Sequence, residues 1–211
     1  MLGYLLETSL PRIHLSQNFL SNFDKAIQTE WITTNALGGY ASSTVLGINT
    51  RKYHGILVAA FNPPTDRRVL LSKLDEEIRI GNETYLLGSN EFRDNIFPKG
   101  YEFLSSFTLN PFPTYRYVVN GVQIEKRLFM PYEKNAVIVA YDLFNPLENE
   151  ILVHIFPLVN SRHFHSVTNK DELNWSFIQE QGEGKIVIRT STPMSTLLLS
   201  ASGGQYFPSK R

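Results

Sequence analysis

The chain has 211 residues, with 20 Lys and Arg against 20 Asp and Glu, and it contains no cysteine. This charge balance gives no basic field for a nucleic acid or an anionic membrane, so we expect neither as a partner. The lack of cysteine excludes disulfides, thiol catalysis and cysteine-based zinc sites, and it is typical of a reducing compartment, so we expect a cytoplasmic protein.

Short strand-like runs separated by turns follow one another along the chain. Apolar residues at helical spacing within residues 19–27 predict one short helix, with Ser16 in position to cap it. Gly81-Asn82 and Asn120-Gly121 interrupt alternating apolar runs and predict two tight hairpins, because such turns need positive φ. Further strand-like runs lie at 55–61, 67–74, 136–144, 150–159, 185–190 and 195–201. This spacing predicts an all-β fold, a large antiparallel β-sandwich of the supersandwich kind with at most one or two short helices.

The stretch at residues 30–58 concentrates small and hydrogen-bonding residues, as expected of a site for a polar, neutral ligand. Its Gly38-Gly39 pair indicates either a loop whose backbone approaches a ligand closely or an ordinary turn. The segment 51–55, RKYHG, offers donors and a tyrosine ring to a ligand, or it is an exposed strand entry with an internally bonded histidine. Neither a P-loop nor a GxGxxG pattern is present, so no phosphate or dinucleotide cofactor is predicted.

A second polar group, RHFH at 162–165, follows an apolar run. His163 and His165 would share one face of a strand, but no third metal ligand lies nearby, so we expect a hydrogen-bonding role and no metal or other cofactor. Asp75-Glu76-Glu77 is expected to be a solvated charge cluster at the start of a strand. No pair of carboxylates suited to glycoside hydrolysis and no Ser-His-Asp arrangement can be selected, so no catalytic residue is predicted.

The stretch at 30–58 resembles the N-terminal domain of glycogen debranching enzymes of the archaeal and bacterial type, the amylo-α-1,6-glucosidases. The family pattern E-W-(L/I)-x-T-N-G-L-G-G-Y-A-S-G-T is matched from Glu30 to Thr44, and N-T-R-R-Y-H-G-L-L-V is matched from Asn49 onwards. A later pattern of the family is matched by Arg162, Phe164 and His165. The departures are Ala36 and Ser43 where glycine is usual, Lys52 for arginine, and His163 for an acidic or amide residue.

The resemblance implies that residues 1–211 form one β-sandwich domain, the N-terminal part of a longer enzyme whose catalytic (α/α)6 barrel lies outside this chain. The domain would be non-catalytic, would pack on that barrel and would contribute to binding an α-glucan such as glycogen. The barrel would supply the carboxylates for α-1,6-glucosidase activity, so this chain alone is expected to be inactive. The residues expected at the substrate or at the interface with the catalytic domain are Asn35, Gly38, Gly39, Arg51, Tyr53, His54, Arg162 and His165.

Two alternatives stay open. The chain could be a free-standing carbohydrate-binding or interaction module without catalysis, and a reading frame that continues into several hundred helical residues would argue against it. It could also be an independent enzyme that uses Asp75, Glu76 or Glu77. We further expect one exposed side of the sandwich to carry a cluster of Gly38, Gly39, Arg51, Tyr53, His54, Arg162 and His165, because polar, bulky residues at strand boundaries are not kept for folding alone.

Overall fold

The computed structural model describes residues 12–93, 95–169, 176–191 and 194–207. Strands account for 59% of it and helices for 6%, which confirms the predicted all-β class. The strands are β1 (Ile13–Ser16), β2 (Glu30–Thr34), β3 (Tyr40–Thr44), β4 (Gly55–Asn62), β5 (Asp66–Ile80), β6 (Glu83–Leu86), β7 (Ser89–Phe92), β8 (Asn95–Lys99), β9 (Leu104–Leu109), β10 (Pro113–Val119), β11 (Val122–Phe129), β12 (Ile138–Phe144), β13 (Ile151–His163), β14 (Phe177–Gly182), β15 (Lys185–Ser191) and β16 (Met194–Ser200). The helices are α1 (Gln17–Leu20), α2 (Phe23–Ala26) and a 3-10 turn (Gly100–Phe103).

The strands form two large antiparallel sheets and two small ones. The first large sheet has the order β1-β9-β10-β11-β12, and the second has the order β13-β5-β4-β3-β2, with β6 also paired to β5. The small sheets are β14-β15-β16 and β7-β8. Neighbouring strands in the first sheet are mostly close in sequence, whereas β13 reaches back to β5 and places residues 162 and 163 opposite 69 and 68.

The two large sheets pack face to face around an apolar core. Trp31 of β2 donates its indole N–H to the hydroxyl of Tyr115 in β10, and that hydroxyl donates to the carbonyl of Thr44 at 2.7 Å. Phe107 of β9 and Ile78 of β5 are among the largest fully buried side chains, and they belong to the same core cluster. The predicted sandwich is therefore present, with its core between the five-stranded and the six-stranded sheet.

Both predicted hairpins are confirmed. Asn120 (φ 48°) and Gly121 (φ 85°) connect β10 to β11, and Val119 lies opposite Val122 across the turn. Gly81, at φ 60°, begins the two-residue connection from β5 to β6. Positive φ at these positions gives a turn whose twist matches that of the flanking strands, which is why the local sequence was sufficient to locate both hairpins.

The predicted early helix is divided into two helices of four residues. Asn22 separates them and caps α2, because its side chain accepts a hydrogen bond from the backbone N–H of Lys25. Ser16 stands at the N-cap of α1 without a side-chain capping bond. Leu20 and Ala26 are buried, so the apolar face reaches the core even though the helix is interrupted. Neither helix, nor any other in the described part of the chain, is long and apolar enough to cross a membrane.

The prediction that Asp75-Glu76-Glu77 is solvated is wrong. These residues lie within the 15-residue strand β5, where β13 pairs along all three of them and β6 pairs with Glu77 on the other side. Glu76 is only 5% exposed, and Asp75 and Glu77 are partly buried. The prediction failed because strands that are distant in sequence cover the acidic segment.

One edge of the six-stranded sheet is formed by β13. Ile155, Phe156 and Leu158 are all exposed there, so the strand does not alternate between a buried and a solvated face at this point. Pro157 lies among them and pairs opposite Leu74 of β5.

Candidate functional site

The loop between β2 and β3 contains the first residues predicted for the site. The side-chain oxygen of Asn35 accepts a hydrogen bond from the backbone N–H of Leu37 at 3.0 Å, and the backbone N–H of Asn35 donates to the carbonyl of Gly39 at 3.3 Å. Ala36 has φ 66° and Gly38 has φ 93°, so this tight loop uses left-handed backbone twice. Ala36 therefore places a Cβ where the backbone favours glycine.

Asn35 is buried, and its amide group is used within the chain. Its Nδ2 donates to the carbonyl of Lys134 at 2.9 Å and to Asn135 Oδ1 at 3.3 Å. The main-chain carbonyl of Asn35 accepts from the N–H of Glu133 at 2.7 Å. Asn135 in turn exchanges two hydrogen bonds with the backbone of Ala60, at 3.0 and 2.7 Å. Asn35 thus fastens the loop to segment 133–135.

Gly38 and Gly39 are explained by close packing within the chain. A Cβ on Gly39 would lie 2.6 Å from Asn35 Nδ2 and 2.9 Å from the carbonyl oxygen of Val58. A Cβ on Gly38 would lie 3.0 Å from backbone and side-chain atoms of Pro64. Of the two readings of this pair, the packing favours the ordinary turn, since the backbone approaches protein atoms at both positions.

His54 is 2% exposed and organises the turn that precedes β4. Its Nδ1 accepts hydrogen bonds from the backbone N–H groups of Thr50 at 3.1 Å and Arg51 at 3.4 Å. Its Nε2 lies 3.5 Å from Glu30 Oε1, and the Nε of Arg51 lies 2.6 Å from the same oxygen. Because Nδ1 accepts two hydrogen bonds, the ring proton belongs on Nε2, where it faces the carboxylate.

Burial lowers the pKa of His54 below its usual 6.5, and this effect outweighs the opposing influence of the Glu30 carboxylate. The adjacent Arg51 guanidinium lowers the pKa further. His54 is therefore the neutral imidazole near pH 7, and it acts as a support of the turn. Arg51 differs from it, because 63% of its side chain is exposed beside Glu30.

Tyr53 lies at the centre of an exposed group that joins both predicted segments. Its hydroxyl is 3.2 Å from Nδ1 of His165, and its ring centroid lies 5.7 Å from that of Phe164 and 5.6 Å from that of His165. Tyr53 is 37% exposed and His165 is exposed. Arg162 donates to the carbonyl of Lys52 and, at 2.8 Å, to that of Ser166. We call the five residues Lys52, Tyr53, Arg162, Phe164 and His165 the Tyr53 face.

Arg67 also belongs to this region, and the sequence analysis missed it. Its Nε donates to the carbonyl of Gly38 at 2.5 Å, and its guanidinium lies over the Phe164 ring, 5.4 Å from the centroid. Its carbonyl accepts from the N–H of Phe164 at 3.1 Å. Arg67 thus connects the β2–β3 loop to the Tyr53 face. Nothing next to Arg67 in the sequence distinguishes it from an ordinary strand arginine, since its two partners, Gly38 and Phe164, are distant along the chain.

The structure therefore brings Tyr53, Arg162 and His165 into one group, with Gly38 joined to it through Arg67. Arg51 and His54 flank Tyr53 in the same turn, but they contact Glu30. Asn35 and Gly39 belong to the packing against 133–135 and Val58. The polar residues of the two segments thus meet, but the predicted exposure is wrong for Gly39 and His54, which are buried, and Asn35 is buried as well.

The imidazoles of His163 and His165 both make hydrogen-bond contacts within the chain. Nδ1 of His163 accepts a hydrogen bond from the backbone N–H of His165 at 3.3 Å, and Nδ1 of His165 lies against the Tyr53 hydroxyl. Across the described ranges, no group of three or more His, Cys, Asp or Glu side chains is arranged to hold a metal ion. Structural and catalytic metal sites need at least three protein ligands.

A second group of polar residues extends into the core, and we call it the core charge cluster: Lys73, Glu76 and Lys126, which are buried, with Asp75 and Tyr141, which are partly buried. Nζ of Lys126 lies 2.6 Å from Glu76 Oε1, which also accepts from the hydroxyl of Tyr141 at 2.5 Å. Nζ of Lys73 lies 2.9 Å from Asp75 Oδ1, and burial lowers the pKa of Lys73. The neighbouring cavity is about 20 Å³, room for a single water molecule, so these carboxylates do not face a substrate cleft.

The sequence model of the family described as "Glycogen debranching enzyme N terminal" matches residues 29–211. The match covers the Tyr53 face, the β2–β3 loop and the core charge cluster. The chain matches no curated protein and no solved structure. Since the family match extends over most of the chain, this protein belongs to the family of glycogen debranching enzyme N-terminal domains.

Proposed function

We propose that this chain is the non-catalytic N-terminal domain of a glycogen debranching-type α-1,6-glucosidase, that it packs on a catalytic (α/α)6 barrel, and that it helps to bind the α-glucan substrate. The reaction is hydrolysis of a branch left as a single α-1,6-linked glucose. Two carboxylates of the barrel carry it out, one as the acid and one as its partner across the scissile bond.

The observation that carries this proposal is the exposed Tyr53 face. A tyrosine ring, an imidazole and a guanidinium are placed side by side there, and internal hydrogen bonds hold them in position. Sugars present flat C–H faces and many hydroxyl groups, so a rigid surface that combines aromatic rings with donors and acceptors suits them. Such a surface can contact glucan directly or shape the rim of a neighbouring cleft.

The position of the acidic residues supports a non-catalytic role. Glu76 is buried against Lys126, and Glu77 lies 2.9 Å from Nδ1 of His154 on β13. A hydrolase of this class needs a carboxylic acid and a carboxylate that both reach the glycosidic bond. The pairing of these carboxylates within the fold favours catalytic groups outside this chain, and it argues against an enzyme that uses Asp75, Glu76 or Glu77.

The first test uses the purified 211-residue chain with a branched limit dextrin. We expect no release of glucose, because the carboxylate pair is supplied elsewhere. Measurable turnover that disappears when an Asp or Glu of this chain is replaced would contradict the proposal.

The second test uses the full-length enzyme with Tyr53→Ala or His165→Ala. Loss of an aromatic contact should raise KM for branched glucan about fivefold while kcat changes little. The matched control is Phe97→Ala, which removes an exposed ring from β8. Unchanged KM and kcat in both Tyr53-face variants would refute a role for this face in substrate binding.

A free-standing carbohydrate-binding module remains the second candidate, and the same exposed face favours it. A parent reading frame that continues past Arg211 into several hundred helical residues decides for the enzyme domain. A frame that stops there decides for the module.

A further inference from the structure

The outer face of the five-stranded sheet contains a groove of about 460 Å³, within the size range of small-ligand sites. Its lining residues include His14, Thr108, Asn110, Thr114, Glu125 and Arg127. They come from β1, β9, β10, β11 and the β9–β10 connection, whereas the Tyr53 face lies at the end of β13 and in the turn before β4, both of the other large sheet. The groove is therefore a place separate from the region described above.

Strand alternation explains why these polar residues share one face. Along β11, Ile124, Lys126 and Leu128 are buried, whereas Glu125 and Arg127 point the other way and are partly exposed. Thr114 of β10 pairs opposite Arg127, and His14 of β1 pairs opposite Thr108 of β9, so their side chains lie side by side across three strand pairings.

Ion pairs connect the charged side chains at the floor of the groove. Arg127 lies 2.5 Å from Glu125 Oε1 and 3.3 Å from Asp142 Oδ2, and Arg116 lies 2.7 Å from Glu125 Oε2. The two guanidinium groups lower the pKa of Glu125, so this carboxylate is ionised near neutral pH. Both of these arginines lie against carboxylates, so the floor offers donors and acceptors with nearly balanced charge, and Arg12 adds one exposed cation at the rim. A floor of this kind suits a polyhydroxyl ligand with many hydroxyl groups to pair.

An aromatic pair borders this polar floor. The ring centroids of Phe112 and Phe129 are 5.2 Å apart, and Phe112 is 37% exposed. Phe112 lies in the β9–β10 connection between Asn110 and Thr114, and its carbonyl accepts from the Thr114 hydroxyl at 3.1 Å. Phe129 follows Arg127 on the same face of β11. An exposed ring beside hydroxyl, amide and charged groups is the combination that a pyranose chain needs: stacking on one side and hydrogen bonds at its edges.

We propose that this groove is a second glucan-binding site, one that takes one or two glucose units of a neutral α-glucan chain and is independent of the Tyr53 face. The class of ligand rests on the function proposed above, while the place rests on the groove itself. The site holds a distant part of a branched substrate and performs no chemistry. Its ligand binds by stacking on Phe112 and by hydrogen bonds to Asn110, Arg127 and His14.

The test is a titration of the uniformly 15N-labelled 211-residue chain with maltoheptaose, followed by amide chemical shifts. We expect shifts at residues 108–114 and 125–129, and Phe112→Ala should weaken binding there about fivefold or more. His14→Ala, at an exposed position of edge strand β1, should weaken the same shifts without affecting the fold. Phe97→Ala is the matched control and should leave them unchanged.

Failure of this proposal can be told apart from failure of the proposed function. Shifts confined to residues 51–53 and 164–165, or shifts at the groove that survive both variants, overturn the second site and leave the function standing. Groove shifts with inorganic phosphate that exceed those with maltoheptaose identify an anion site and also overturn it. Groove shifts with maltoheptaose that both variants weaken support the second site, even where the Tyr53-face variants of the full-length enzyme show no change in KM.

Discussion

The Tyr53 face and the core charge cluster are both made of charged and aromatic side chains, yet they lie in opposite environments. On the Tyr53 face the groups are open to water, and their bonds fix the shape of a surface. In the core charge cluster Lys126 and Glu76 are cut off from water, and their contact links the two large sheets. Residue type alone therefore does not separate a functional surface from a structural support, whereas burial does.

This difference gives the two regions opposite responses to substitution. Removing one member of a buried ion pair leaves an uncompensated charge in a medium of low polarity, while removing an exposed charge lets water take its place. The variants below test that contrast, in order of decreasing effect.

Lys126→Met should lower the free energy of unfolding by about 3–5 kcal/mol, because Glu76 would stay buried without its cation. Urea unfolding followed by fluorescence of the buried Trp31 measures it. The matched control, Arg116→Met, removes a half-exposed cation from Glu125 and should cost less than about 1 kcal/mol. Equal losses of unfolding free energy in the two variants would show that the buried ion pair contributes no more to stability than the exposed one.

His54→Ala should cost about 2–4 kcal/mol, because it opens a cavity and leaves two backbone N–H groups of the turn without their acceptor. The same urea experiment applies. His165→Ala provides the comparison, since that imidazole is exposed and water can replace its contact with Tyr53. A stable His54→Ala variant would mean that the turn forms without the imidazole.

Stability should also depend on pH through His54. Burial lowers the pKa of the folded-state imidazole below the unfolded value of 6.5, so below pH 6.5 the unfolded chain binds more protons than the folded one. The contribution of the neutral His54 imidazole to the free energy of unfolding is therefore complete above pH 6.5. It is lost as the pH falls from 6.5 toward the pKa of His54 in the folded state. Unfolding free energies compared at about pH 7.5 and about pH 5.5 should decrease more in the unmodified chain than in His54→Ala. An equal decrease would exclude His54 as the cause.

Ala36→Gly should stabilise the fold by about 1 kcal/mol, because Ala36 has φ 66° and glycine adopts this conformation without a Cβ clash. Differential scanning calorimetry would show a higher melting temperature. Ala140→Gly, in the extended strand β12, should instead destabilise by about 0.5–1 kcal/mol. A lower melting temperature for Ala36→Gly would mean that the alanine methyl makes contacts that outweigh its strain.

Arg51→Ala should change the free energy of unfolding least, by less than about 1 kcal/mol, because its pair with Glu30 is exposed to water. A thermal melt of the domain tests this. A collapse of stability would place Arg51 among the structural supports with His54. An unchanged melting temperature keeps it available for the surface role.

The sequence was sufficient where structure is decided locally. Asn120-Gly121 specified its hairpin because two adjacent residues supply the φ values of the turn. The family pattern identified residues 30–58 and 162–165, and β13 does bring Arg162 next to Lys52. Knowledge of the pattern could not give the separate roles of its members, since His54 and Tyr53 are neighbours of which one is buried and the other exposed.

The sequence was insufficient where distant strands decide burial. Glu76 is buried against Lys126, which lies 50 positions further along the chain. Because nothing in the sequence around either residue indicates this pairing, the burial could not be predicted. The hydrogen bonds between Asn35 and residues 133–135 could not be predicted either, because these residues are also distant in sequence. The position of Arg67 in the site was not predictable, because its partners Gly38 and Phe164 belong to other segments.

The exposed edge formed by β13 has a consequence for how copies of this chain meet one another. Leu158, Phe156 and Ile155 give that edge the apolar character of an aggregation-prone strand, but Pro157 has no N–H to offer. Within sheets proline is confined mainly to edge strands, with its nitrogen turned away from the neighbouring strand, and β13 lies at the end of the strand order of its sheet. A second strand that docked along this edge would lack one backbone hydrogen bond at Pro157, so we expect the proline to oppose edge-to-edge association and fibril growth.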